Sequence, residues 1–383
     1  MTRAPGVGAL EAGRVPVRLH RRVVRPAHHR AQVSSVTEMH RCVSVSAPVR
    51  TADIGGWTDT WFAVRGTVTN VAVEPGVEVT VRAIDLPAEH ARIVVDETEF
   101  DAVVDLRNPR AATDPFLAMA VAAAMPVRPV EIRLRCFVPP GSGLGTSAAV
   151  SVAVIGAVWA FDDRVVDPAA LAAAAHGVET SLGLPSGVQD QLAAAFGGTR
   201  RYDIRYPTLK ASHVLVDDPA VLFDGRLLTV YLGQPHSSSE VHRDVIAELE
   251  AGGHRAALDD LRVAAMNAAA ALSRRDLPAF GRAMRMHNDA TRRLHEPIVS
   301  PLADQVGAIA DAFGALGWKA NGAGGQGGTV AVLAGADPDQ RAALVAAIAD
   351  HPGCELLALR PTRAGCTIER SEDHEDPRND SAE

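Results

Sequence analysis

Lysine is nearly missing from this chain of 383 residues: only Lys210 and Lys319 occur, and arginine supplies the remaining basic positions. No lysine follows a glycine-rich turn, so a phosphate loop of the Gly-Lys-Ser/Thr kind is excluded. Cysteine is scarce too. Cys42, Cys136, Cys354 and Cys366 lie far apart and form no Cys-x-x-Cys pair, which argues against thiol redox chemistry and cysteine-held zinc. They read as buried thiols in a reducing compartment, so a cytoplasmic protein is expected. There is no long hydrophobic run. The most apolar stretch, Ala148 to Phe161, is too short to cross a bilayer and contains Ser151 and Gly156. It is apolar on nearly every face and therefore reads as a buried helix. Nor is there an excess of positive charge: 46 acidic against 38 basic residues leave a net charge of −8, which gives no reason to expect a nucleic-acid partner.

What the chain does have is glycine in one informative place. A strand-like segment, Val130 to Val138, runs into Pro139, Pro140, Gly141, Ser142, Gly143, Leu144, Gly145, Thr146 and Ser147, and a small-residue helix pattern runs out. Glycines let backbone pass close to a bulky anion, and a helix N-terminus offers free N–H groups and a positive dipole end. Phosphate binding is the chemistry suggested. Thr146 and Ser147 carry hydroxyls that can cap the helix or reach a phosphate-bound Mg²⁺.

Two carboxylates stand out downstream. Glu179 lies near the end of a helix that starts at Asp167-Pro168, an N-cap followed by proline. Asp190 lies in the first turn of the next helix, read as Ser186 to Phe196 with Ser186 and Gln189 as a capping box. The short Gly183-Leu184-Pro185 turn can bring both acids to one cleft, where carboxylates hold Mg²⁺ or act on a substrate hydroxyl. His236 and His242 lack a third ligand and read as ordinary histidines.

Four blocks, in order, resemble the GHMP kinase family. They are Ser46-Ala47-Pro48-Val49-Arg50 with Gly55-Gly56-Trp57-Thr58-Asp59-Thr60; the Pro139 to Ala149 loop; Gly187-Val188-Gln189-Asp190-Gln191; and Gly322-Ala323-Gly324-Gly325-Gln326-Gly327-Gly328, which departs from the family pattern at Gln326. The wording is most similar to the sugar-1-kinase branch, that of fucokinases and heptose 7-phosphate kinases. The resemblance implies ATP and Mg²⁺ as cofactors. It implies nucleotide phosphates on the Pro140 to Ser147 loop, Mg²⁺ on Ser147 and Glu179, and Asp190 facing the acceptor hydroxyl. Asp59 would contact sugar hydroxyls, and Gly324 and Gly325 would wall the active site. Arg50 matches a basic residue near the substrate and is a candidate for phosphate; as a residue on its own it also reads as an exposed strand-end arginine. The expected reaction is phosphorylation of the anomeric hydroxyl of a sugar or sugar phosphate, giving a sugar 1-phosphate. The rivals are a non-sugar alcohol such as mevalonate or homoserine, and a non-catalytic relative that senses sugar and ATP.

The fold class expected is α+β in two domains. The resemblance implies a domain of the ribosomal protein S5 domain 2 type over 42–208 and a ferredoxin-like domain over 209–368. The Arg-rich residues 1–41 read as a disordered extension or an early start codon, and the acidic residues 369–383 as a disordered tail. Partners beyond the small-molecule substrate are not expected, apart from a second copy: the chain is expected to be a monomer or homodimer.

Overall fold

The computed structural model describes residues 41–96, 98–184, 186–234, 238–251 and 253–372. Four strands open the chain: β1 (Arg41–Ile54), β2 (Arg65–Ala83), β3 (His90–Val95) and β4 (Asp101–Asp105). Helix α1 (Pro115–Ala124), strand β5 (Val130–Cys136) and helices α2 (Thr146–Phe161), α3 (Pro168–Ser181) and α4 (Gln189–Phe196) follow. A hairpin of β6 (Thr199–Arg205) and β7 (Thr208–Val216) leads to the short α5 (Pro219–Phe223) and to β8 (Leu227–Tyr231). Four helices come next: α6 (Ser238–Glu250), α7 (Arg255–Ser273), α8 (Leu277–Leu294) and α9 (Pro301–Ala312). The chain ends with β9 (Gly317–Ala320), β10 (Thr329–Leu333), α10 (Pro338–Ala349), β11 (Glu355–Leu357), β12 (Arg360–Pro361) and β13 (Thr367–Glu372).

The helix starts follow a repeated local rule. Asp114, Asp167, Asp218, Asp276, Ser300 and Asp337 each accept a backbone N–H of their own first turn, and proline stands in the first two positions of each of those helices. The side chain satisfies an orphan donor, and proline spends no N–H that the helix needs.

Two sheets form. The first has nine strands, with β13-β1-β2-β5-β3-β4 side by side, β6 and β7 extending along the other half of β2, and β12 also on β2. Helix α2 lies across β1 and β2, with α1, α3 and α4 around it. Val150 to Phe161 are buried except for Trp159, as an all-round apolar helix requires. The second sheet runs β11-β8-β10-β9, with α9 and α10 against it around Trp318, Val306, Leu344 and Ile348. Helices α7 and α8 pair with each other. Helix α7 also packs on β2, and α8 also packs on β9. No described helix is long and apolar enough to cross a membrane.

The α+β expectation holds, and several details differ. The sequence pattern predicts separate strands at Thr67 to Val73 and Val77 to Ala83, but both belong to one strand, β2. Between those two pieces the β1–β2 register jumps from Ala47 opposite Val77 to Val49 opposite Val73. Pro75 sits in that bulge, where its missing N–H costs no ladder bond. The sequence pattern from Pro301 predicts a helix to Leu316, but α9 stops at Ala312 because Gly314 turns left-handed at φ 72°, and Gly317–Ala320 becomes a strand. The glycine block Gly322 to Gly328 therefore lies between two strands, β9 and β10. The domain boundary expected at 208/209 falls in the β6–β7 hairpin, and β12 and β13 return to the first sheet, so that sheet takes strands from both sides of it. Residues 369–372, expected in a disordered tail, belong to β13 and pair with β1. Residues 1–40 and 373–383 lie outside the described residues, whereas Arg41 begins β1 and pairs with Asp163.

Glycine spacing decides how closely α8 lies on β9. A Cβ at Gly281 would stand 2.2 Å from the Leu316 carbonyl oxygen and 3.0 Å from the Gly317 nitrogen, both backbone atoms. Gly281→Ala should therefore destabilise the fold by about 1–3 kcal/mol. Gly177, in the interior of α3, would meet nothing within 4 Å. Gly177→Ala should instead stabilise by roughly 0.5–1 kcal/mol. Urea unfolding of both variants checks this, and effects of the same sign would contradict it.

Candidate active site

The glycine-rich loop joins β5 to α2 with three left-handed residues, Gly141, Gly143 and Gly145 at φ 67°, 70° and 77°. Gly145 is the N-cap of α2, and no side chain caps that end. Thr146 was expected to be able to cap it; its hydroxyl instead lies 3.4 Å from the Ser142 hydroxyl. The result is a sixteen-residue helix whose N-terminus is left without a side-chain partner, a favourable place for an anion. Ser147 is exposed at this end.

The loop faces a cavity of about 410 Å³, within the usual range of small-molecule sites. Gly141, Ser142, Gly143, Gly145, Thr146 and Ser147 line it, along with Arg50, Asp59, Glu179 and Asp190. Two of the expected loop residues do not. Pro140 is outside the lining, and the Leu144 side chain is fully buried while its carbonyl accepts the Arg50 N–H at 3.0 Å. Gly324 and Gly325 also turn away. A Cβ on Gly324 would meet the Ile298 carbonyl at 2.1 Å, and Gly325 donates to that same carbonyl at 2.8 Å. The wall on that side is Gly322 and Ala323 instead. Gly322 and Gly143 need to be glycine together: a Cβ on either would come within about 3 Å of the other loop's backbone.

Arg50 is not an exposed strand-end residue. It is 3% exposed within β1, and its Nε and Nη2 donate to Asp190 Oδ1 and Oδ2 at 2.8 and 3.1 Å. Its Nη1 donates to the Gly143 carbonyl, and Asp53 lies 3.7 Å from Nη2. Burial works against this charge, but Asp190 and Asp53 outweigh it and hold the guanidinium above its ordinary pKa. Asp190 keeps 29% of its side chain exposed toward the cavity. A Cβ on Gly145 would stand 3.2 Å from its Oδ2, so the loop and this carboxylate are in contact.

The capping box expected at Ser186 does not form. Val188 is the N-cap of α4 and carries no capping side chain, while Ser186 donates to Glu179 and to the Gly187 carbonyl. The cap comes from 129 residues away: Asp59 Oδ2 accepts the N–H groups of Val188 and Gln189 at 2.9 and 3.0 Å. A Cβ at Gly187 would collide with that carboxylate at 2.1 Å, so only glycine admits it. Burial raises the Asp59 pKa to about 6, against the opposing N–H bonds and with help from Asp190. Glu179, 9% exposed, accepts from Gln191 Nε2 at 2.8 Å and from Ser186. Burial pushes its pKa up to about 7, Asp190 adds to the push, and the two hydrogen bonds oppose it.

Several residues here carried no sequence signal. Asp53 and Lys319 form a buried ion pair at 2.6 Å. Gln189 Nε2 and Asn70 Nδ2 extend that polar seam, and Asn321 ties β1 to β10 through Ala52, Thr51 and Thr329. His287 Nδ1 accepts the Gly55 N–H at 3.1 Å, and burial and Lys319 hold its pKa well below the ordinary value. The far wall is aromatic: Trp57, Trp61, Phe62 and Phe116. His236 lies outside the described residues, as does Pro185 of the turn between the two acids.

The donor set fits a nucleotide's phosphates: an uncapped helix end and three left-handed glycines open onto one cavity. Among the described residues no group of three or more acidic, histidine or cysteine side chains is arranged to hold a metal alone. Ser147 and Glu179 would hold Mg²⁺ only with phosphate oxygens completing its shell, which is the usual pattern for that ion.

A glycine-rich loop at an uncapped helix end, a buried arginine and a partly exposed carboxylate thus surround one cavity. Family comparison makes this specific. Residues 113–198 match the GHMP kinases N terminal domain and residues 268–352 the GHMP kinases C terminal domain, and the chain belongs to the GHMP kinase family. A mevalonate kinase of Methanothermobacter thermautotrophicus is 40% identical over 70 residues, 18% of this chain and 23% of that protein. A bifunctional fucokinase/GDP-fucose pyrophosphorylase of Arabidopsis thaliana is 25% identical over 232 residues, 54% of this chain and 22% of that protein. The matches thus span less than a quarter of either relative's length. Among solved structures, a D-glycero-D-manno-heptose 1-phosphate kinase from Bacteroides thetaiotaomicron superposes with a TM-score of 0.64 at 17% identity, over 85% of this chain and 98% of that one. A Lactococcus lactis galactokinase complexed with galactose superposes with a TM-score of 0.69 at 16% identity, over 85% and 95%. These likenesses show the two-domain GHMP kinase fold.

The Glu179 carboxyl gives a pH prediction. Its folded pKa, about 7, lies above its ordinary value of 4.5, so its contribution favours folding fully below about pH 4.5 and is lost as pH rises through 7. Glu179→Gln removes that loss. With no divalent ion present, the variant should gain on the wild type as pH rises from 4.5 to 8, reaching on the order of 1–3 kcal/mol. Melting curves across that range test it, and a stability difference that stays flat with pH would contradict it.

Proposed function

We propose that this protein is an ATP- and Mg²⁺-dependent kinase that phosphorylates the anomeric hydroxyl of a sugar, releasing a sugar 1-phosphate. The observation that carries the reading is Asp190. It is held by two hydrogen bonds from Arg50, touches the phosphate loop at Gly145 and is open to the cavity. An acceptor hydroxyl seated on Asp190 would face the phosphates that the α2 N-terminus holds.

Each residue then has a task in phosphoryl transfer, where alignment and charge neutralisation do most of the catalysis. Asp190 accepts the proton of the acceptor hydroxyl or steadies it as the bond forms. Arg50 fixes the carboxylate in place. Gly141 to Ser147 bind the nucleotide phosphates through backbone N–H groups. Mg²⁺, when bound, would offset phosphate charge, with Ser147 and Glu179 as its protein ligands. Asp59 uses Oδ2 on α4, which leaves Oδ1 for a sugar hydroxyl. The aromatic wall suits the apolar face of a sugar ring, and the Gly55-Gly56-Trp57-Thr58-Asp59 wording and the fucokinase relative support a sugar over another alcohol.

An ADP-release screen over free aldoses, their terminal phosphates, mevalonate and homoserine should give turnover with a sugar. Phosphorus NMR of the product should show a phosphate coupled to the anomeric proton; turnover with mevalonate or homoserine alone would overturn the reading. Asp190→Asn should cut turnover by about 10²–10⁴-fold and leave nucleotide affinity nearly unchanged. Helix α4 should persist in this variant, because Asp59 still caps it. Near-normal turnover would remove Asp190 from the mechanism. Glu179→Ala should raise the Mg²⁺ concentration needed for half-maximal rate, and an unaltered requirement would remove Glu179 from the metal.

A further inference from the structure

We propose that Lys319 is a positioning residue for Asp190, acting through Asp53 and Arg50: its ammonium satisfies the Asp53 carboxylate, so the Arg50 guanidinium stays on Asp190. The inference rests on the reading of Asp190 as the acceptor-facing group. It starts from a competition. Two carboxylates lie within reach of one guanidinium, Asp190 at 2.8 and 3.1 Å and Asp53 at 3.7 Å. Asp53 is 1% exposed, whereas the Asp190 side chain keeps 29%. A buried carboxylate without a partner costs far more than one that water can reach. Left alone with the two, Arg50 should close on Asp53.

Lys319 prevents that. Its side chain is fully buried, and Nζ lies 2.6 Å from Asp53 Oδ1. The Gly322 N–H and Gln189 Nε2 also donate to Asp53, at 3.3 and 3.2 Å. Asp53 is therefore held from β9, from the loop after it and from the first turn of α4, beside Asp190. Burial lowers the Lys319 pKa and Asp53 opposes the fall; the Asp53 carboxyl is held down at about 2 by Arg50 and Lys319 against its own burial. Two cations and two carboxylates balance, and His287 takes no share of that charge, since its Nδ1 accepts the Gly55 N–H.

A plain tie between the two sheets would give the same ion pair, so the test must separate position from stability. Lys319→Met should lower kcat about 10–100-fold, the scale of an ångström's misplacement at a reacting group, with little change in nucleotide KM. Lys319→Gln keeps a hydrogen bond to Asp53 without the charge and should show the same loss. The double variant Lys319→Met with Asp53→Asn leaves no unpaired carboxylate and should recover most of the lost kcat. Crystal structures give a readout that needs no activity. Arg50 should leave Asp190 for Asp53 in the single variants, opening the Nε–Asp190 spacing beyond about 4 Å, and should return in the double. An Arg50 that stays on Asp190 without Lys319, or a double variant no better than the single, overturns the proposal. A wild type that transfers no phosphoryl group to any acceptor would overturn the kinase reading instead, and the crystal structures would still decide this one.

Discussion

One buried guanidinium organises this molecule. Arg50 sits buried on β1, next to the central strand β2 of the first sheet, where water cannot hydrate it, so its donors must find protein acceptors. They find Asp190 on α4, the Gly143 carbonyl in the glycine-rich loop and, farther off, Asp53. Three segments distant in sequence are thereby fixed around one point. A planar fork with fixed donor directions does this in a way an ammonium cannot.

The neighbouring constraints are of the same kind: one group satisfied from far along the chain, with glycine making room. Asp59 supplies the cap that α4 lacks, and Gly187 admits its carboxylate. Gly143 and Gly322 let the two glycine loops touch backbone to backbone, while Thr329 donates to the Ser142 carbonyl at 2.9 Å. The cavity floor is therefore built from both sheets, and its acidic lining is partly neutralised from behind by Arg50 and Lys319. Burial raises the pKa values of Glu179 and Asp59, and the Asp190 charge adds to both shifts.

Much of this was legible in the sequence wherever the signal was local. Asp167-Pro168 announced a helix start, and the same signal at Asp114, Asp218, Ser300 and Asp337 works in the same way. Helix α2 was readable from its unbroken apolar composition, and the tight turn into it from its glycines. The errors came where tertiary contacts overrode local pattern. Ser186 and Gln189 have capping-box spacing, yet Ser186 is drawn to Glu179 and the cap comes from Asp59. Gly324 and Gly325 look like an active-site wall, but Ile298 claims them. Lys319 and Asp53 were unreadable, because neither has a sequence neighbour that betrays a partner 266 residues away. The β6–β7 hairpin and the returning β13 were likewise hidden, since only the pairing of β6 with β2, of β7 with β6 and of β13 with β1 makes them strands.

The central claim is that the Arg50 fork, and not merely positive charge, holds the acceptor-facing carboxylate in place. The most direct test is the turnover of Arg50→Lys with the best acceptor, measured beside its affinity for a non-hydrolysable ATP analogue. A lysine keeps the charge but cannot grip both Asp190 oxygens and the Gly143 carbonyl together. Turnover should fall by about 10²-fold or more, with nucleotide affinity changed by less than about threefold, since in the proposed mechanism the helix end and loop backbone carry the phosphates. Turnover close to that of the wild type would contradict the account.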